Sequence, residues 1–355
     1  MRLPGALPLL ALTASLLSGC ASLPTGDGLV HAPGPHAGLA AADALADGRA
    51  RFRDIFCNVL AQDPPVGERL PCTDWLWRLD DERPATTSPL PDADFTPQVY
   101  LVGGAFSECL GEEAKPFRLA APRLRDKGYR IATIVVSGRS GVEFNARQIA
   151  ERLAEPPPGE DGRVVLVGYS KGINDILEFL ATYPDVASRV DSVVSVAGAV
   201  GGSPLAAQMA GTYDVLLHGI PSSRCPPGDG QVIESLRPES RREWLARHEL
   251  PGSVRYYSLA AFTNRDRIAR ILYPAWKLLL AHDSRNDGQL LARDALIPGS
   301  VLLGYLHADH WLAVIDVESV HPVLGARDDP TPFPREALLE AILLQVAEDR
   351  GRVAP

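Results

Sequence analysis

The chain has 355 residues, 46% of them apolar, with 44 acidic against 35 basic side chains and a formal net charge of −9. That length allows one large α/β domain or two small ones, and an acidic balance with no basic stripe argues against nucleic acid as a partner. The sequence contains no Walker A loop, no Gly-x-Gly-x-x-Gly after a strand, no Cys-x-x-Cys and no solenoid repeat. His307 and His310 lack a recognisable third ligand, so no metal site and no cofactor are expected.

Met1-Arg2 followed by the apolar run Leu3 to Leu17 reads as a signal peptide, too short to span a bilayer comfortably. Leu17-Ser18-Gly19-Cys20 resembles the lipobox of bacterial lipoproteins. The resemblance implies loss of residues 1–19 and a lipid on Cys20. Ala21 after that cysteine implies, by the same resemblance, attachment to the outer membrane facing the periplasm. Residues 20–48, rich in Gly, Ala and Pro, are expected to form a flexible tether, and His31 and His36 lie in it, away from any chemistry.

Residues 49–97 read as an N-terminal extension, with short helical pieces at Phe52 to Leu60 and Trp75 to Leu79. From residue 98 apolar strands alternate with helices. Strands are expected at Gln98 to Val102, Tyr129 to Val136, Val164 to Val167, Val190 to Val196 and Arg255 to Phe262. Helices are expected within Ala114 to Gly128, at Asn145 to Leu153 and after Ser170. Apolar strands between helices mean a mostly parallel, doubly wound sheet covered on both faces. Residues 201–251 break this pattern, at a place where a lid or cap insertion fits. Four cysteines remain, Cys57, Cys72, Cys109 and Cys225, and an even number in an exported chain predicts two disulfides. Three pairings are open. Cys57 with Cys72 closes a short loop, and Cys109 with Cys225 ties the loop after a strand to the insertion.

The chemistry centres on Gly168-Tyr169-Ser170-Lys171-Gly172. A strand precedes it and a helix follows, which is the setting of a nucleophile elbow. The sharp turn needs small flanking residues and lifts the serine hydroxyl above the sheet. Such a serine needs a histidine base, an acid to hold the histidine, and donors for the oxyanion. Of His282, His307, His310 and His321, His310 is the leading base and His307 its competitor. Asp287, in the turn Asn286-Asp287-Gly288, is the leading acid. Asp266, close after the strand ending at Phe262, competes with it, and Asp283 and Asp309 follow. The amide of Lys171 is expected to be one oxyanion donor. The other is expected from Ala105 or Phe106, in the loop Gly103-Gly104-Ala105-Phe106.

These residues resemble the α/β-hydrolase superfamily from about Gln98 to the C-terminus. Asn286-Asp287-Gly288 with Asp309-His310 downstream is similar to the acid-histidine arrangement of bacterial true lipases, and Gly198 to Ala206 is similar to the segment after their sixth strand. The elbow departs from them, with Tyr169 where those lipases usually carry a histidine. The resemblance implies a membrane-anchored serine hydrolase acting on ester or lipid-like substrates through an acyl-enzyme. A thioesterase or acyltransferase would use the same residues. A protein of a different class, a non-catalytic envelope binding protein, would keep the fold without needing an activated serine.

Overall fold

Along Gln98-Val99-Tyr100-Leu101-Val102, alternate side chains leave opposite faces of the backbone. Both sets are buried: Val99 and Leu101 pack in one apolar cluster, Tyr100 and Val102 in another. This strand therefore has helices on both sides, and the rest of the sheet repeats the arrangement. The computed structural model describes residues 29–30, 45–62, 71–82, 89–90, 97–156, 162–206, 208, 225–317, 322–323 and 325–351. The expected leader, Cys20, most of the expected tether and His321 lie outside them.

Among the described residues nine strands are present: β1 (Leu29–Val30), β2 (Ala46–Asp47), β3 (Leu76–Leu79), β4 (Gln98–Val102), β5 (Ile131–Ile134), β6 (Val164–Tyr169), β7 (Val190–Val196), β8 (Arg255–Phe262) and β9 (Val301–His307). The helices are α1 (Arg49–Ala61), α2 (Ser107–Leu110), α3 (Ala120–Asp126), α4 (Val142–Ala154), α5 (Lys171–Thr182), α6 (Pro184–Ala187), α7 (Pro238–Arg247), α8 (Tyr273–Leu279) and α9 (Arg335–Gly351). The sheet order is β1-β3-β9-β8-β7-β6-β4-β5, with β2 also pairing β9. Every pairing is parallel except β3 with β9.

One face of the sheet is covered by α1, α3 and α9. Phe52, Ile55, Phe56, Leu338 and Ile342 pack there against Val165, Val194 and Leu259. The other is covered by α4 and α5, through Ile149, Leu153, Ile176 and Leu180. Crossover helices on both faces explain why the central strands read as continuous apolar runs.

Two expectations are corrected. Trp75 to Leu79 is not helical: Leu76–Leu79 is a strand antiparallel to β9, pairing Leu76 with Leu306 and Trp77 with Tyr305. The Trp77 ring stacks on Phe262 at 5.0 Å, and its indole N–H donates to the Phe262 carbonyl. Large flat side chains settle on a pleated surface of this kind. The histidine loop, expected from Tyr305, begins only at Ala308, because Val301–His307 is itself a strand.

Both disulfides are formed, Cys57–Cys72 and Cys109–Cys225. The first links α1 to the turn that leads into β3. The second links α2 to residue 225. Within 201–251, residues 207 and 209–224 lie outside the described residues, and 225–251 contain the 3₁₀ turn Glu234–Leu236 and α7.

Candidate active site

Ser170 follows β6 and precedes the first residue of α5. Its backbone is at φ 54° and ψ −128°, a conformation that a residue with a Cβ adopts only under constraint. The constraint comes from the flanking glycines. A Cβ on Gly168 would stand 2.7 Å from the Ile173 Cα, and one on Gly172 would stand 2.5 Å from the carbonyl oxygens of Val102 and Gly103. Gly104 is equally close on the other side, where a Cβ would meet the Ser170 Cβ at 2.7 Å. The strand-turn-helix geometry therefore presses Ser170 against the loop that follows β4.

The structure brings Ser170, His310 and Asp287 into one hydrogen-bonded line. The serine hydroxyl donates to His310 Nε2 at 2.9 Å, and His310 Nδ1 donates to Asp287 Oδ2 at 2.7 Å. His310 and Asp287 are each 1% exposed, so water competes little for these bonds. Asp287 Oδ1 accepts the amides of Gln289 and Leu290, and its backbone carbonyl accepts the His310 amide at 2.8 Å. The Asp-Gly turn thus holds the histidine by side chain and by backbone.

The other candidates are placed elsewhere. Asp266 is exposed. Asp283 Oδ2 pairs with Arg293. Asp309 is fully buried, and its oxygens accept the amides of Trp311, Leu312 and Ala269 and the guanidinium of Arg327. The His307 ring lies tilted against Trp77, with centroids 3.9 Å apart, and donates from Nδ1 to the Asp74 carbonyl. Burial, and then the nearby Arg267, lower its pKa to about 3. His282 is exposed.

For the oxyanion, Lys171 opens α5, where the first amides of a helix have no intrahelical acceptor. Of the two loop candidates, Phe106 is corrected: its amide donates to the Gly138 carbonyl at 2.9 Å and is not available to a substrate. The partner sits in the loop after β5, invisible from the local sequence. Ala105 is the remaining one, and its amide makes no backbone hydrogen bond among the described residues.

Two groups that sequence reasoning did not assign also shape the site. Tyr169 is buried behind Ser170, and its hydroxyl donates to the His310 carbonyl at 2.9 Å. Burial first, then the charges of Asp287 and Asp309, keep that phenol protonated well above its ordinary range. The departure at Tyr169 was visible, but its partner 141 residues away was not. The Lys171 side chain is buried against Asp175 at 2.5 Å, and Asp175 also accepts from Asn145. Burial raises the Asp175 pKa against the pull of Lys171.

No protein-family model and no curated protein matches the chain. Among solved structures, a metagenomic carboxyl esterase is similar over 89% of this chain and 96% of its own, at 38% identity and a TM-score of 0.80. The propeptide form of a Bacillus licheniformis lipase is similar over 69% of this chain and 54% of its own, at 22% identity and a TM-score of 0.50, a likeness of fold alone.

Proposed function

The chain belongs to the carboxyl esterases of the α/β-hydrolase fold and is an ester hydrolase, and on that premise we propose that it works through an acyl-enzyme formed on Ser170. The observation that carries this reading is the line from Ser170 Oγ through His310 to Asp287. The Ser170 oxygen attacks the ester carbonyl as His310 Nε2 takes its proton, giving a tetrahedral oxyanion. The amides of Lys171 and Ala105 receive that negative charge, and one such donor is commonly worth about 3 kcal/mol in the transition state. His310 then hands its proton to the leaving alcohol, and the acyl group stays on Ser170. Water, deprotonated by the same imidazole, releases the acid. Asp287 keeps Nδ1 protonated and stabilises the imidazolium formed in each half of the cycle.

Ser170→Ala tests the reading directly. Turnover of short-chain esters and labelling by a fluorophosphonate should both vanish while thermal unfolding stays close to that of the parent. Labelling that survives the substitution would place the nucleophile on another residue. A cap role for residues 201–251 is supported by the apolar cluster in which Phe106 and Cys109 pack with Cys225 and Val232. The lipid anchor at Cys20 and the outer-membrane, periplasm-facing location are supported by the leader sequence and belong to this proposal.

A further inference from the structure

The large apolar side chains that stand exposed are not scattered. All seven among the described residues lie on segments leaving the carboxyl ends of the parallel strands, the end that carries Ser170. Leu110 and Leu119 follow β4, and Val135, 56% exposed, follows β5. Ile271, Leu278 and Leu280 follow β8, and Val323, 84% exposed, follows β9. Isolated exposed apolar residues need no explanation, whereas several on one short segment do. In the sheet order β6 lies between β8-β9 and β4-β5, so the two groups flank the nucleophile.

The larger flank has the chemistry of a membrane interface. Ile271 just before α8, and Pro274 and Leu278 within it, are exposed on one short segment. The Arg270 amide donates to the Ala326 carbonyl at 2.9 Å, which brings the loop of Val323 alongside. Arg265 and Lys277 stand over the Tyr273 ring at 5.9 and 5.7 Å. On this segment three cations are exposed, Arg265, Arg270 and Lys277, beside one exposed acid, Asp266, in a chain whose net charge is −9, while Arg267 is buried. Asp328 and Asp329 temper this by pairing with Arg270 and Arg267. An exposed apolar segment bordered by basic residues is the pattern that lies in the plane of an anionic bilayer surface.

We propose that this end of the molecule docks on an anionic phospholipid surface, through the α8 segment on one flank and the Leu110, Leu119 and Val135 group on the other. A flat partner meets both flanks at once and faces Ser170. The inference does not rest on the catalytic roles, so loss of ester turnover in the parent would leave it standing.

Hydrogen exchange on the whole chain, read segment by segment, tests it. Vesicles containing phosphatidylglycerol should slow exchange in residues 263–282 and 105–119 by about ten-fold, and vesicles of phosphatidylcholine alone should slow it less. The double variant Ile271→Asp, Leu278→Asp should lose the protection at 263–282, while α9 exchanges as in the parent and a water-soluble short ester turns over at the parental rate. Vesicle association that leaves both segments unprotected would mean that an N-terminal lipid alone holds the protein, and the proposal fails. Protection that grows with protein concentration in the absence of vesicles would assign the face to a second copy. Protection unchanged by vesicles would mean that no bilayer covers this face. Either result overturns the proposal.

Discussion

His310 is held at three points: its amide and its Nδ1 by Asp287, and its carbonyl by the Tyr169 hydroxyl. A base fixed in this way depends on the acid for its tautomer, and replacing that acid by Asn in a serine-protease triad costs about 10⁴ in turnover. Asp287→Asn should therefore lose several orders of magnitude in kcat with little change in Tm. Asp266→Asn, at an exposed site, should behave as the parent; steady-state kinetics on both variants separates them. Stability should titrate through two other groups. His307 has its pKa lowered to about 3 from 6.5, chiefly by burial. The unfolded chain takes up this proton first, so the contribution of His307 is whole above pH 6.5 and is lost as the pH falls toward 3. Asp294 runs the other way: burial raises its pKa from 3.8 to about 6, so its contribution is whole below 3.8 and is lost as the pH rises to 6. The fall in Tm between pH 7 and about 4.5 should shrink in His307→Asn and grow in Asp294→Asn.

At the scale of the element, the elbow needs close approach more than any particular contact. Gly172→Ala would drive a Cβ onto two backbone carbonyls at 2.5 Å, neither of which can yield as a flexible side chain could. Overpacking of that kind costs about 1–3 kcal/mol. Urea unfolding should show that loss, and turnover should fall with it as the Lys171 amide shifts. The elbow, the five expected strands and the turn bearing Asp287 were legible because each is a local pattern: an apolar run, a glycine-flanked serine, an Asp-Gly turn. β9 was not, because Gly304, at φ 157°, interrupts its apolar run and coincides with a register shift against β8. β3 was not, because only Arg78 of its four residues is exposed, and a two-sided burial pattern has no alternation to read. The Phe106 amide and the Tyr169 hydroxyl find partners in other loops, and spacing along the chain carries no trace of such pairings.

For the whole molecule, two stretches of the expected tether, Leu29–Val30 and Ala46–Asp47, join the sheet as β1 and β2, paired with β3 and β9. If Cys20 carries the lipid, Cys20→Ser should abolish incorporation of a labelled fatty acid and release the protein from the membrane fraction. Fractionation and maturation identical to the parent would remove the anchor from the proposal. Of the extension expected at 49–97, β3 joins the sheet and α1 packs against it. Its sequence shows apolar residues without saying what covers them, and the answer lies at the other end of the chain, in β9 and α9.

That closure sets an order of events during synthesis. Phe52, Ile55, Phe56 and Trp75 leave the ribosome early, yet the surface that buries them includes Leu306, Phe333 and Leu338, which are made last. Pairings so distant in sequence form slowly, and until they form the early segment stays sticky. A nascent chain stalled anywhere before β9 presents the same uncovered apolar arm. Holding chaperones therefore have a defined client here, from the synthesis of residue 82 until α9 is complete.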